Sequence, residues 1–276
     1  MFDSNNLQEV PKRVFYPNLA QSWILVLCFF PVLLFANALG EMMKAMSFDS
    51  NIITFVEYVI ALGILTLTAF AVKSKIGDKP LIHYKSKVSA WVYVCVIPAI
   101  IGLSGLVDTI STMILPEIPE SLKKSLEENM SSNFFSILTA VVAAPVFEEI
   151  ICRGIICEGL IKNISPRAGI LWSAFIFALM HLNPWQGLSA FVIGCFMGWI
   201  YRKTRSIIPC IFIHFANNAL ALCAYLYYSS SADYDLNTSP SEIYGSNEII
   251  IIIVHALIFL ASFVLLVKIL KPKRIT

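Results

Sequence analysis

Residues 145–154 read Pro145-Val146-Phe147-Glu148-Glu149-Ile150-Ile151-Cys152-Arg153-Gly154, two carboxylates and a guanidinium inside an otherwise apolar stretch. A charged side chain at bilayer depth costs about 2.5–3.5 kcal/mol on insertion scales, so such groups usually face a protein-lined cavity and work there. Neighbours on a helix point about 100° apart while residues four apart share a face, so Glu149 can pair with Arg153 as Glu148 faces elsewhere. One glutamate is then neutralised and the other left available. A carboxyl in a low-dielectric pocket holds a proton more readily, which suits a group that takes one from water.

Composition extends this reading to the whole chain. Of 276 residues 58% are hydrophobic and 14% charged, against roughly a quarter charged in soluble domains. The formal charge of +2 is too small to suggest a nucleic-acid partner. A spanning helix needs about 20 mostly apolar residues, and that template finds about eight candidates. They are Ser22 to Met43, Ile52 to Val72, Val88 to Val107, a fourth from Phe134 through Glu148, Ala168 to Leu182, Gly187 to Tyr201, Ile207 to Tyr228 and Ile249 to Leu270. The expected fold is all-α, a polytopic membrane helix bundle forming a single integral membrane domain over residues 1–276. The first apolar run is long enough to be retained as a span rather than cleaved as a signal.

Basic residues fall in alternate loops: Lys73, Lys75, Lys79, Lys85 and Lys87, then Lys162 and Arg167, then Arg202, Lys203 and Arg205. Those loops should be cytoplasmic. The opposite loops carry Glu117, Glu120, Glu127, Glu128, Asp233, Asp235 and Glu242. Both termini are then expected in the cytoplasm, consistent with Lys12, Arg13 and the Lys271-Pro272-Lys273-Arg274 tail. The tract from Glu120 to Glu128 has the spacing of a short surface helix, with a solvated connector as the alternative. The cysteines, 7 in all, lie in apolar segments without C-x-x-C spacing and read as reduced core residues, Cys152 and Cys157 being poorly spaced for zinc.

Two further segments carry ionisable groups. Phe177 and His181 share a helix face, as do His214 and Asn218. One histidine could hold or ligate an attacking water with Glu148, while the other and the Asn218 amide could donate to a developing oxyanion. Alternatively Glu148, His181 and His214 bind a divalent metal such as zinc, with an open position for water. A third possibility is a buried polar network that fixes helix packing. His255 reads as a satisfied structural histidine and His83 as a solvated loop residue. Taken as straight spans, the helices would leave Glu148 and His181 about 13 Å apart in depth, a mismatch that longer or tilted helices would reduce.

At these residues the chain resembles the CAAX-protease and bacteriocin-processing (CPBP, Abi) family of intramembrane proteases, which shows E-E-x-x-x-R, F-x-x-x-H and H-x-x-x-N on separate membrane helices. Here they stand as Glu148-Glu149-Ile150-Ile151-Cys152-Arg153, Phe177-Ala178-Leu179-Met180-His181 and His214-Phe215-Ala216-Asn217-Asn218. The likeness covers residues 134–228, the expected catalytic core. It implies that Glu148 and His181 activate water, that His214 and Asn218 form an oxyanion hole, and that Glu149 and Arg153 support the site. Lipid and a hydrophobic or lipidated peptide are the expected partners, in a bacterial plasma membrane. A non-catalytic scaffold for a membrane protein partner and a transporter or proton relay are the competing readings.

Overall fold

The computed structural model describes residues 14–76, 82–84, 87–230, 235–238 and 240–271. Lys12, Arg13, Lys79, Lys85, Asp233 and the Pro272-Lys273-Arg274 part of the basic tail lie outside the described residues. All regular structure among those described is helical. In chain order the longer helices are α1 (Leu19–Ala45), α2 (Ser50–Lys75), α3 (Ala90–Ile114), α4 (Glu120–Asn129), α5 (Phe134–Asn163), α6 (Pro166–Leu179), α7 (Pro184–Thr204), α8 (Ile208–Tyr228) and α9 (Glu248–Ile269). Several starts follow from local chemistry. Asn18 and Gln21 form a reciprocal capping box at α1, and Ser165, followed by Pro166, caps α6, satisfying amide groups that a helix end leaves unpaired.

Among the described residues, six helices are long and apolar enough to cross a membrane: α1, α2, α3, α5, α8, and α9 with the turn before it. The chain is thus a multi-pass membrane protein with six candidate spans, not about eight. The two regions that differ are Ala168 to Leu182 and Gly187 to Tyr201. The first becomes α6, whose 14 residues reach only about 21 Å, short of a hydrocarbon core of about 30 Å. The second lies in α7, which is long but carries Gln186, Arg202 and Lys203 and is absent from that apolar set. The two helices pack on each other as a hairpin and bury one face against protein, while α6 leaves Leu171, Trp172, Phe175 and Leu179 exposed.

Helix α5 runs for 30 residues without a break. Two stretches of it, Leu138–Ala143 and Ile150–Cys157, have the wider π-helical turn, and Glu148 and Glu149 sit between them. Such wide turns often occur at functional sites, because they re-aim side chains and release backbone groups. Helix α9 packs against α3 at Gly102, where an added Cβ would lie 2.6 Å from the His255 carbonyl oxygen. Small residues allow this close approach in a membrane bundle. The imidazole of His255 fills the space above Gly105, but its Nδ1 has no hydrogen-bond partner. His255 is therefore a packing residue, not a satisfied one.

Residues 120–129 form a short helix, as their spacing suggested, and Lys123 bridges Glu120 at 2.8 Å and Asp235 at 2.7 Å. Two other expectations change. His83 is half-buried, with Nε2 2.9 Å from Glu158 Oε1. Glu158 also accepts from Tyr201, Arg205 and Lys162, so His83 sits against a buried acid instead of standing in solvent. The described cysteines are unpaired, but Cys223 is exposed, not part of the core.

Candidate active site

A cavity of about 340 Å³ is lined by Glu148, His181, His214 and Asn218, together with Tyr58 and Gln186. A smaller space of about 190 Å³ beside it shares His181, His214 and Asn218 and adds Phe177 and Asn217. Side chains from α5, the α6–α7 turn and α8 thus converge on one volume. His181 lies in the turn after α6 rather than within a span, and Leu182 next to it has φ of 57°. A left-handed backbone costs about 1 kcal/mol or more for a branched residue. The turn brings His181 to the level of Glu148, which removes the depth mismatch of the straight-span reading.

The two adjacent glutamates have different surroundings. Glu149 is fully buried; its Oε1 accepts from Arg153 at 2.6 Å and lies 3.0 Å from His214 Nδ1. Glu148 instead accepts a hydrogen bond on Oε1 from the Tyr58 hydroxyl at 2.5 Å, while Oε2 has no hydrogen-bond partner and lies 3.9 Å from His214 Nε2. Glu148 is therefore not wholly unpaired, as sequence spacing implied: one oxygen is held and one is free.

Hydrogen-bond partners also define the imidazoles. His181 Nδ1 is 2.9 Å from the Phe177 carbonyl oxygen, which can only accept, so Nδ1 carries the proton. His214 Nδ1 likewise faces the Glu149 carboxylate. Each neutral ring then keeps Nε2 as its acceptor nitrogen. The Phe177 ring stands nearly perpendicular to both, at 5.0 Å from His181 and 5.6 Å from His214, and the Arg153 guanidinium lies over it at 4.4 Å. One aromatic ring thereby fixes both imidazoles and gives a buried cation a favourable face. Gly194 leaves room for that cation, since a Cβ there would lie 3.0 Å from an Arg153 terminal nitrogen.

Asn218 belongs to a one-way chain of hydrogen bonds. Ser104 donates to Asn217 Oδ1 at 2.8 Å, Asn217 Nδ2 donates to Asn218 Oδ1 at 3.1 Å, and Asn218 Nδ2 donates to the Ala140 carbonyl at 2.8 Å. The π turn explains why that carbonyl is free. Ala144 N–H bonds Thr139 O, and the same register would send the next N–H to Ala140, but Pro145 has none. The second proton on Asn218 Nδ2 remains uncommitted.

The sequence reading missed Tyr58, Ser104, Asn217 and Gln186. Tyr58 and Ser104 sit in apolar spans with no motif around them, and only proximity in the fold identifies them. Asn217 was visible beside Asn218 but faces away from the helix face used to choose candidates. As to metal, two imidazoles and a carboxylate are zinc-type donors, yet among the described residues no group of three His, Cys, Asp or Glu is arranged to hold one ion.

Residues 130–220 match the family model described as Type II CAAX prenyl endopeptidase Rce1-like. No curated protein and no solved structure matches the chain. The matched segment contains all three motifs but neither Tyr58 nor Ser104.

Proposed function

We propose that this chain, a membrane protein of the CPBP/Rce1-like family, is an intramembrane endopeptidase acting on a membrane-associated, hydrophobic or lipidated peptide. The observation that carries the reading is the asymmetry of Glu148. Its Oε1 is held by Tyr58, its buried Oε2 has no hydrogen-bond partner, and the residue lines the cavity shared with His181, His214 and Asn218.

In this reading a water on Oε2 gives its proton to Glu148 as its oxygen attacks the scissile carbonyl, and His181 Nε2 orients that water as an acceptor. Negative charge grows on the carbonyl oxygen. The spare Asn218 N–H and, in its doubly protonated form, His214 Nε2–H donate to it. The C–N bond then breaks, and the proton held by Glu148 passes to the leaving amine. Glu149 holds His214 through Nδ1, and Arg153 holds Glu149. An apolar groove of about 730 Å³ that includes Phe175, Leu179, Leu182 and Phe191 runs beside the His181 turn, and it supports a substrate with a hydrophobic or lipid portion.

The test is to incubate the purified protein in lipid nanodiscs with hydrophobic and lipidated peptides, with and without chelator, and to read new peptide termini by mass spectrometry. New termini from the wild type and none from Glu148→Gln are expected. Equal product from both proteins would reject the reading.

A further inference from the structure

At the end of the molecule where α3 begins and α7 and α9 finish, a cleft of about 570 Å³ opens, lined by Lys87, Arg202, Lys203 and Lys271 over partly exposed apolar residues such as Val88 and Leu270. No Asp or Glu lines it, and none of the four cations has an ion-pair partner among the described residues. This differs from the neighbouring cations Lys162 and Arg205, which are spent on Glu158. Like charges gathered in one concavity repel each other unless an anion joins them.

The cleft's position limits what that anion can be. It lies at the ends of two candidate spans, α3 and α9, which puts its mouth at the headgroup layer. Below it the same helices present exposed Trp91, Val94 and Leu265 to the surroundings, a surface suited to acyl chains. We propose that this cleft binds the phosphate headgroup of an anionic phospholipid, the four cations meeting the phosphate and the apolar floor meeting the first carbons of the chains. Basic residues gathered near a membrane surface favour anionic over zwitterionic lipid, so a set of four distinguishes the two.

The full-length protein in detergent is titrated with phosphatidylglycerol or phosphatidylcholine, and bound lipid is counted by native mass spectrometry. Phosphatidylglycerol is expected to bind preferentially. The quadruple variant Lys87→Gln, Arg202→Gln, Lys203→Gln, Lys271→Gln should weaken it at least about tenfold. The double variant Lys75→Gln, Arg167→Gln, which removes exposed cations outside the cleft, should leave it unchanged. Equal retention of the two lipids, or equal weakening in both variants, overturns the proposal. Displacement of the lipid by millimolar inorganic phosphate also overturns it, by marking a free-anion site. If the quadruple variant does not fold, Arg202→Gln alone carries the test, with about fivefold weakening expected and no change counting against the site.

Discussion

Tyr58 and Glu148, 90 positions apart in the chain, are joined by a hydrogen bond of 2.5 Å from the phenol to carboxylate Oε1. The donor comes from α2 and the acceptor from the stretch of α5 between its two π turns. A carboxylate held at one oxygen presents the other in a defined direction, which is what a general base requires.

Glu148→Gln keeps an acceptor for Tyr58 but cannot take a proton from water. Peptide cleavage should fall by at least about a hundredfold while the melting temperature moves little. Parallel cleavage and thermal-melt measurements check both halves.

Tyr58→Phe keeps the ring and removes the donor. Hydrogen bonds to charged groups contribute about 1.5–3 kcal/mol, so kcat should drop about ten- to a hundredfold with KM nearly constant. A merely structural tyrosine would instead lower the yield of folded protein and leave kcat per folded molecule intact. Kinetics normalised to folded protein decide between these.

Glu149→Gln strands the fully buried Arg153 guanidinium and removes the carboxylate facing His214. Removing one partner of a buried pair costs about 3–5 kcal/mol. The double variant Glu149→Gln, Arg153→Met should recover part of that loss without recovering activity. Denaturation curves of the single and double variants measure the difference.

His83 predicts an acid-sensitive loop contact. Burial pushes its ionisation below the usual value of 6.5; Glu158 opposes that shift, and Arg205, Lys162 and Lys73 add to it. A depressed histidine favours folding in its neutral form, so its contribution is complete above about pH 6.5 and is lost as pH falls through the lower folded value. His83→Gln should flatten the fall in melting temperature below pH 6.5. An unchanged profile would assign the acid sensitivity to other groups.

Helix α4 and the residue after it line the cavity through Leu126 and Met130, and the segment is tied to the α8–α9 connection by Lys123–Asp235 and, just before α4, by Asn237, which bonds the backbone of Ile118. Lys123→Gln should loosen this segment, raising amide hydrogen exchange over residues 120–129 and leaving exchange in α5 unaltered. Exchange mass spectrometry on the reconstituted protein reads both segments.

Much of this was legible before any coordinates. Membrane class, all-helical architecture and the Glu149–Arg153 pairing are local properties, encoded in hydropathy and in the four-residue spacing of one helix. The motif positions on α5, the α6 turn and α8 were likewise readable one at a time. Span number was not, because a hydropathy window registers apolar residues without knowing where the fold ends each helix; α6 stops after 14 residues at the turn that carries His181.

Hydropathy and spacing thus sufficed to say that this chain enters the bilayer and which ionisable groups it carries there. Which carboxylate oxygen is left without a partner, which ring nitrogens other groups hold, and that Tyr58 and Ser104 reach the motif residues came only with the packed bundle. Those outcomes depend on hydrogen bonds between groups up to 113 positions apart, and no periodicity within a single helix encodes what stands opposite it.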